Sequence, residues 1–330
     1  MHIPDNYLSP TTCGTLIAVM TPIWTVSVLK VKAQIKEKKE TIPPLGVAAS
    51  LAFLIMMFNL PIPGGTTAHA VGGTLLAVLL GPWAACLALS ITLLLQALLF
   101  GDGGILAFDA NAFNMAFIMP FVGYACYLIG RRLHHEKIGL AVGAYVGINL
   151  AALVAGIELG LQPLLFHNQQ GIPLYCPYGL NIAVPAMLTA HLLIVGWVEA
   201  AFTVLVFQFI KKAAPDSIYH AATKNTKVHT KAIYGLLAGL AILSPLGLIA
   251  SGTAWGEWNK TELQQRLQTA HLATHAPSGI SHGLHFNALF NNYTIRGVPL
   301  PIGYILSAVT VLLIFFLFVR VIHYDQNKES

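Results

Sequence analysis

The chain has 330 residues, 56% of them hydrophobic and 9% charged, and a net charge of +5 at neutral pH. A soluble domain of this length does not carry so little charge, so the composition specifies a polytopic membrane protein. The basic excess sits in clusters between apolar runs, which makes it a topology signal and argues against a nucleic-acid surface.

The chain opens Met1-His2-Ile3-Pro4-Asp5. A free α-amine, the next backbone amide and the His2 imidazole can chelate one metal ion through three nitrogens. A fourth donor would close a square suited to Ni²⁺ or Cu²⁺. The segment has neither the basic start nor the apolar run of a cleaved signal peptide, and the bulk of His2 is expected to keep Met1 in place.

Apolar runs long enough for helical spans, about 20 residues each with shorter ones possible inside a bundle, occur at 11–30, 45–60, 67–80, 82–100, 112–130, 138–160, 180–210, 232–251 and 300–323. Nine helices are predicted, giving an all-α polytopic fold. The runs lack the alternating polarity of a transmembrane β-barrel. Basic clusters at Lys30 to Lys39, at Arg131, Arg132 and Lys137, at Lys211 to Lys231, and at Arg320 and Lys328 are cytoplasmic by the positive-inside rule. Threading the spans through them puts Met1 and segments 61–66, 101–111, 161–179 and 252–299 outside and the C-terminus inside. The polar stretch 211–231 is the expected cytoplasmic linker, dividing a seven-helix unit, 1–210, from a two-helix region, 232–330. Cys13, Cys86 and Cys126 lie in spans and Cys176 in an outer segment, so no disulfide framework is available.

His69 stands among glycines in Pro63-Gly64-Gly65-Thr66-Thr67-Ala68-His69-Ala70-Val71-Gly72-Gly73, at the same face as Met1. A ligating side chain near a span is a functional candidate, and the glycines permit close backbone approach. Thr67, Asn111, Asn114 and His191 are candidates for holding a ligating imidazole through its free nitrogen, with capping of the next helix the alternative role of Asn111. Asp102 and Asp109 are possible carboxylate ligands in the same outer region. Glu199 is deep in a span and expected to be structural. His271, His275, His282 and His285 fall in the long outer loop at spacings of four and three, which on a helix could gather a metal transiently. A solvated loop equally accounts for them.

No Gly-Lys-Ser/Thr phosphate loop, His-Glu-x-x-His helix or Gly-x-Ser-x-Gly elbow occurs in the sequence. Any ATP-driven work therefore belongs to partner subunits, and no catalytic cofactor is expected.

Four segments, Met1-His2-Ile3-Pro4-Asp5, Gly64-Gly65-Thr66-Thr67-Ala68-His69, Ala110-Asn111-Ala112-Phe113-Asn114-Met115 and Pro185-Ala186-Met187-Leu188-Thr189-Ala190-His191-Leu192, closely resemble the CbiM/NikM family. These are metal-binding S components of energy-coupling-factor transporters for cobalt and nickel. Ser244 to Leu248 and Gly252 to Trp258 resemble the two-helix CbiN/NikN subunit, fused to the same chain. The resemblance implies metal ligation by the Met1 amine, the His2 amide and imidazole, and the His69 imidazole. It also implies a transmembrane T component, two cytoplasmic ATPase subunits and residence in a bacterial or archaeal cytoplasmic membrane. Asn6 departs from a common glycine, a change that left-handed backbone tolerates, and Asp109 departs from a common small residue. Four nitrogens including a deprotonated amide favour Ni²⁺ as the transported substrate. Co²⁺ uptake for cobalamin synthesis and a gradient-driven metal transporter are the alternatives.

Overall fold

The computed structural model describes residues 1–37, 42–215, 218–219 and 230–328; part of the expected linker, with Lys224 and Lys227, and Lys38 and Lys39 lie outside them. Its helices are α1 (Pro10–Glu37), α2 (Ile42–Met56), α3 (Gly73–Leu80), α4 (Pro82–Phe100), α5 (Phe108–Arg132), α6 (Glu136–Leu165), α7 (Leu180–Ala213), α8 (Thr230–Ile249), α9 (Lys260–Thr269), α10 (Ser278–His282) and α11 (Leu300–Lys328). Among the described residues, seven of these are long and apolar enough to cross a membrane: α1, α4, α5, α6, α7, α8 and α11.

Two of the nine expected spans are therefore shorter than expected. Helix α2 has 15 residues. The run at 67–80 is helical only from Gly73, and the loop expected at 61–66 belongs to an antiparallel ribbon in which Leu60–Ile62 (β1) pairs with Thr66–Ala68 (β2). Eight helical residues rise only about 12 Å. The three strand residues Thr66–Ala68 add about 10 Å, and 69–72 join them to α3 through the left-handed turn at Gly72.

The contacts at the two ends support that path. Thr66 Oγ1 donates to Thr253 O at 3.2 Å. At the other end, Gln34 Nε2 donates to Leu80 O at 3.1 Å and the Tyr219 amide to Leu79 O at 3.0 Å. Non-helical backbone at membrane depth is tolerated only when protein surrounds it. Here every residue of α3 is buried, as its apolar character on all sides requires.

Helices α5 and α6 close around α3 as an antiparallel pair whose contact is lined by small residues. A Cβ on Gly139 would meet Gly130 Cα at 2.6 Å and a Cβ on Gly147 would meet Met119 O at 2.7 Å. Without a hydrophobic drive between helices in lipid, such close backbone approach supplies the dispersion contact. Helix α11 packs on α2, where a Cβ on Gly46 would strike the Val319 side chain.

Gly139→Leu should therefore lower the thermal unfolding temperature of the detergent-purified protein, since overpacking of this kind costs about 1–3 kcal/mol or more. Gly14→Ala, where an added Cβ meets nothing within 4 Å, should leave it unchanged. Equal shifts in both variants would contradict the packing described.

Candidate metal centre

Residues 1–9 fold back into one end of the bundle, leaving Met1 3%, His2 3% and Ile3 0% exposed. A polar chain terminus is buried at a cost unless its groups are paired. Asn111 pairs both ways with one residue: the Ile3 amide donates to Asn111 Oδ1 at 2.7 Å, and Asn111 Nδ2 donates to Ile3 O at 2.9 Å. The Gly104 amide donates to the same Ile3 oxygen at 2.9 Å, and the Leu106 amide donates to Asp5 Oδ1 at 2.7 Å. Asn6 has φ of +69°, the left-handed turn its sequence position was expected to allow. Further along, Tyr7 O accepts from the Cys176 amide at 3.0 Å and Ser9 N donates to Gln162 Oε1 at 2.9 Å.

His2 and His69, 67 residues apart, meet in this setting. His69 Nδ1 lies 3.0 Å from Ala70 O; a carbonyl only accepts, so Nδ1 carries the hydrogen and Nε2 is a bare lone pair. That Nε2 lies 3.2 Å from His2 Nδ1. Asp102 Oδ1 lies 3.3 Å from the same His2 nitrogen. One proton on His2 Nδ1 thus faces two acceptors. Donation of the rear ring N–H to a backbone carbonyl, as His69 makes, is the arrangement that orients metal-ligating imidazoles.

The His69 backbone is itself held from below. The buried Glu199 carboxylate of α7 accepts from the Val71 amide at 2.8 Å and from the Gly72 amide at 3.0 and 3.1 Å. Gly72 takes φ of +80°, so the chain turns there from the segment carrying His69 into α3, with the Glu199 carboxyl group at the helix N-terminus. Glu199 is structural, as expected, but its task is specific to the His69 turn.

Two carboxylates complete the surroundings. The Met1 ammonium donates to Glu257 Oε1 at 3.1 Å, and Tyr293 donates its hydroxyl to Asp102 Oδ2. Burial alone would raise the Asp102 carboxyl. Attraction to His2, His69 and the Met1 ammonium when these carry charge, together with the Tyr293 hydroxyl, outweighs burial and holds it below its ordinary range. Burial and the Asp102 charge push the Tyr293 phenol up, which keeps it a donor. Among the described residues, the His2 backbone amide makes no hydrogen bond, and no three His, Cys, Asp or Glu side chains form a metal-holding group.

The structure redistributes the other candidates. Asn111 touches Ile3 rather than an imidazole, and Asn114 Nδ2 donates to Glu158 Oε2 at 2.7 Å, so neither orients His2 or His69. Thr67 and His191 line a small cavity beside Met1, without a hydrogen bond to either ring. Asp109 is buried with Oδ2 unpartnered. His271, His275, His282 and His285 are exposed. His271 and His275 follow α9 and His285 follows α10, so they form no helical pairs. Asp102, expected as a possible ligand, has its carboxylate against the His2 ring. Glu257 had no signal in the sequence, being 256 residues from its partner.

The sequence model for the family described as the cobalt uptake substrate-specific transmembrane region, CbiM, matches residues 2–217. That of the PDGLE domain matches residues 229–324. The chain is 70% identical over 330 residues, the whole of both chains, to the probable fused nickel transport protein LarMN of Lactiplantibacillus plantarum. It is 41% identical over 324 residues, 93% of each chain, to the fused nickel transport protein NikMN of Rhodobacter capsulatus. A solved structure of a transition metal transporter is similar with a TM-score of 0.61 and 57% identity, over 64% of this chain and 93% of that one.

Asn111→Ala should release the buried terminus, because it leaves the Ile3 amide unpaired at a cost of about 1–3 kcal/mol. Amine-specific labelling of Met1 at neutral pH, followed by mass spectrometry, should be faster than in the parent protein and than in Asn114→Ala. Equal labelling in all three would mean that Asn111 does not hold the terminus.

Proposed function

This chain belongs to the cobalt uptake substrate-specific transmembrane (CbiM) family, and we propose that it binds Ni²⁺ with high affinity as the substrate-binding membrane component of an ATP-driven energy-coupling-factor uptake transporter. The observation that carries the reading is the 3.2 Å approach of His2 Nδ1 to His69 Nε2. Two nitrogens held at about 2.0 Å from one ion and at a right angle lie about 2.8 Å apart. The proton now between the rings therefore stands close to where a cation would sit. The amine of Met1 and the amide of His2 complete four nitrogens, because the three donors from residues 1 and 2 form two fused chelate rings around one ion and His69 closes the square. Nickel, which accepts a planar field including a deprotonated amide, suits this set better than cobalt. The nickel transport names of the two relatives support the same choice.

The ion is substrate, and the sequence carries no Gly-Lys-Ser/Thr phosphate loop. Energy comes in this reading from two cytoplasmic ATPase subunits acting through a transmembrane T component, in a bacterial or archaeal cytoplasmic membrane with Met1 outside and the C-terminus inside. Residues 1–210 form the metal-binding unit and 211–231 the cytoplasmic linker. Residues 232–330 bear on the site through Glu257, whose carboxylate holds the amine that the metal needs. Loading then requires the 252–259 segment to give up that contact.

His2→Ala and His69→Ala should each remove nearly all bound nickel from protein that still inserts and purifies, read by elemental analysis. One extra residue before Met1 turns the amine into a peptide amide and should do the same, whereas a C-terminal tag should not. Equal nickel in the N- and C-tagged proteins would remove the terminal-amine chelate.

Binding should also weaken as pH falls below about 6, because protons compete for the amine, the amide and two imidazoles, a group whose ordinary pKa is about 6.5. Several protons should be released per ion bound. Affinity that stays constant between about pH 5 and 8 would indicate carboxylate ligation through Asp102 or Asp109.

A further inference from the structure

His191 lies at the start of a π-helical turn, His191–Val195, in the middle of α7, and is 2% exposed. Its Nδ1 is 2.7 Å from Met187 O. Since the carbonyl can only accept, Nδ1 carries the ring hydrogen and Nε2 is a bare lone pair. That Nε2 is buried and has no partner among the described residues. A buried acceptor left unpaired is costly, and this one is on a ring lining a cavity bounded also by Met1, Thr67, Met187, Ala190 and Trp255.

Three features make this ring a donor in waiting. Its rear N–H is fixed on a backbone carbonyl, as the rear N–H of His69 is on Ala70 O, which is how ligating imidazoles are oriented. Its free nitrogen is borderline-soft, and Met187, which lines the same cavity, carries a soft thioether; such donors favour late first-row divalent ions over Mg²⁺ or Ca²⁺. The cavity is walled by Met1, whose amine is one of the proposed donors, and by Thr67 and Ala68, next but one and next to His69.

We propose that His191 Nε2 is a transfer ligand for the divalent transition-metal ion. It takes the ion on the Met1 side of the four-nitrogen site and holds it while nitrogen donors are made or broken one at a time. This rests on the four-nitrogen reading above. In the loaded resting state the square is closed without His191. The ring acts during arrival and departure, when an ion leaving one donor in a buried, poorly hydrated place needs another. A ligand that stabilises only the passage speeds loading and release together and leaves the equilibrium nearly unmoved.

The test uses full-length protein with its native N-terminus and Ni²⁺ as the probe, followed by the fluorescence of tryptophans such as Trp255 on the cavity wall. Loading is measured after rapid mixing and release after adding a chelator. His191→Gln and His191→Ala should slow both rates by roughly tenfold or more, with affinity within about threefold and an unchanged melting temperature. Added imidazole should restore the rates of His191→Ala, which a purely structural role would not produce. Loading and release as fast as in the parent protein, or slowing that imidazole does not relieve, would overturn the proposal. If His191→Ala does not fold, His191→Gln decides alone on its two rates. Failure of the parent protein to bind nickel, or full binding by His2→Ala, would instead defeat the four-nitrogen site itself.

Discussion

Burial of the chain terminus is the constraint on which the rest of this structure depends. An ammonium group, an unpaired amide and an imidazole do not leave water without compensation, so this end of the bundle is arranged around residues 1–9. Asn111 and Gly104 hold the Ile3 backbone, Leu106 holds Asp5, and Glu257 holds the amine. These partners come from the 101–107 loop, from α5 and from the segment after α8. The site is consequently a property of the assembled bundle and of its C-terminal region together, even though its proposed donors lie within the first 69 residues.

The broken span is the second half of the same arrangement. A continuous helix through 67–80 would point side chains around a cylinder and bury the backbone of residues 66–72 in its own hydrogen bonds. The extended path frees that backbone to pair in the β1–β2 ribbon and to meet the Glu199 carboxylate. His69 is thereby fixed from both sides, by the ribbon before it and by the turn after it. Irregular backbone within a membrane protein is confined to places where protein surrounds it, and the fully buried α3 with the helices around it provides that place.

Much of this was legible in the sequence, for physical reasons. Low charge and long apolar runs are direct consequences of the solvent, so the helical class followed from composition; that Asn6 can stand where the resembled family commonly has glycine agrees with its φ of +69°. His2 and His69 were singled out because a chelate can form from adjacent atoms and glycines flank the second ring, and the structure brings the two rings together. The short α3 and the ribbon before it were not, because an apolar run long enough for a helix does not reveal where the backbone is extended. The roles of Asn111 and Glu257 were hidden for another reason. A hydrogen bond between residues 108 or 256 positions apart leaves no local pattern, and asparagine before a helix reads equally as a cap.

The account's central claim is that one ion is held by four nitrogens, one of them the chain's own terminus. X-ray absorption on nickel-loaded, full-length protein with a native N-terminus tests it most directly. The account predicts a four-coordinate planar spectrum with nitrogen scatterers only, two of them imidazole. A six-coordinate spectrum with oxygen scatterers, as carboxylates or water would give, would contradict it.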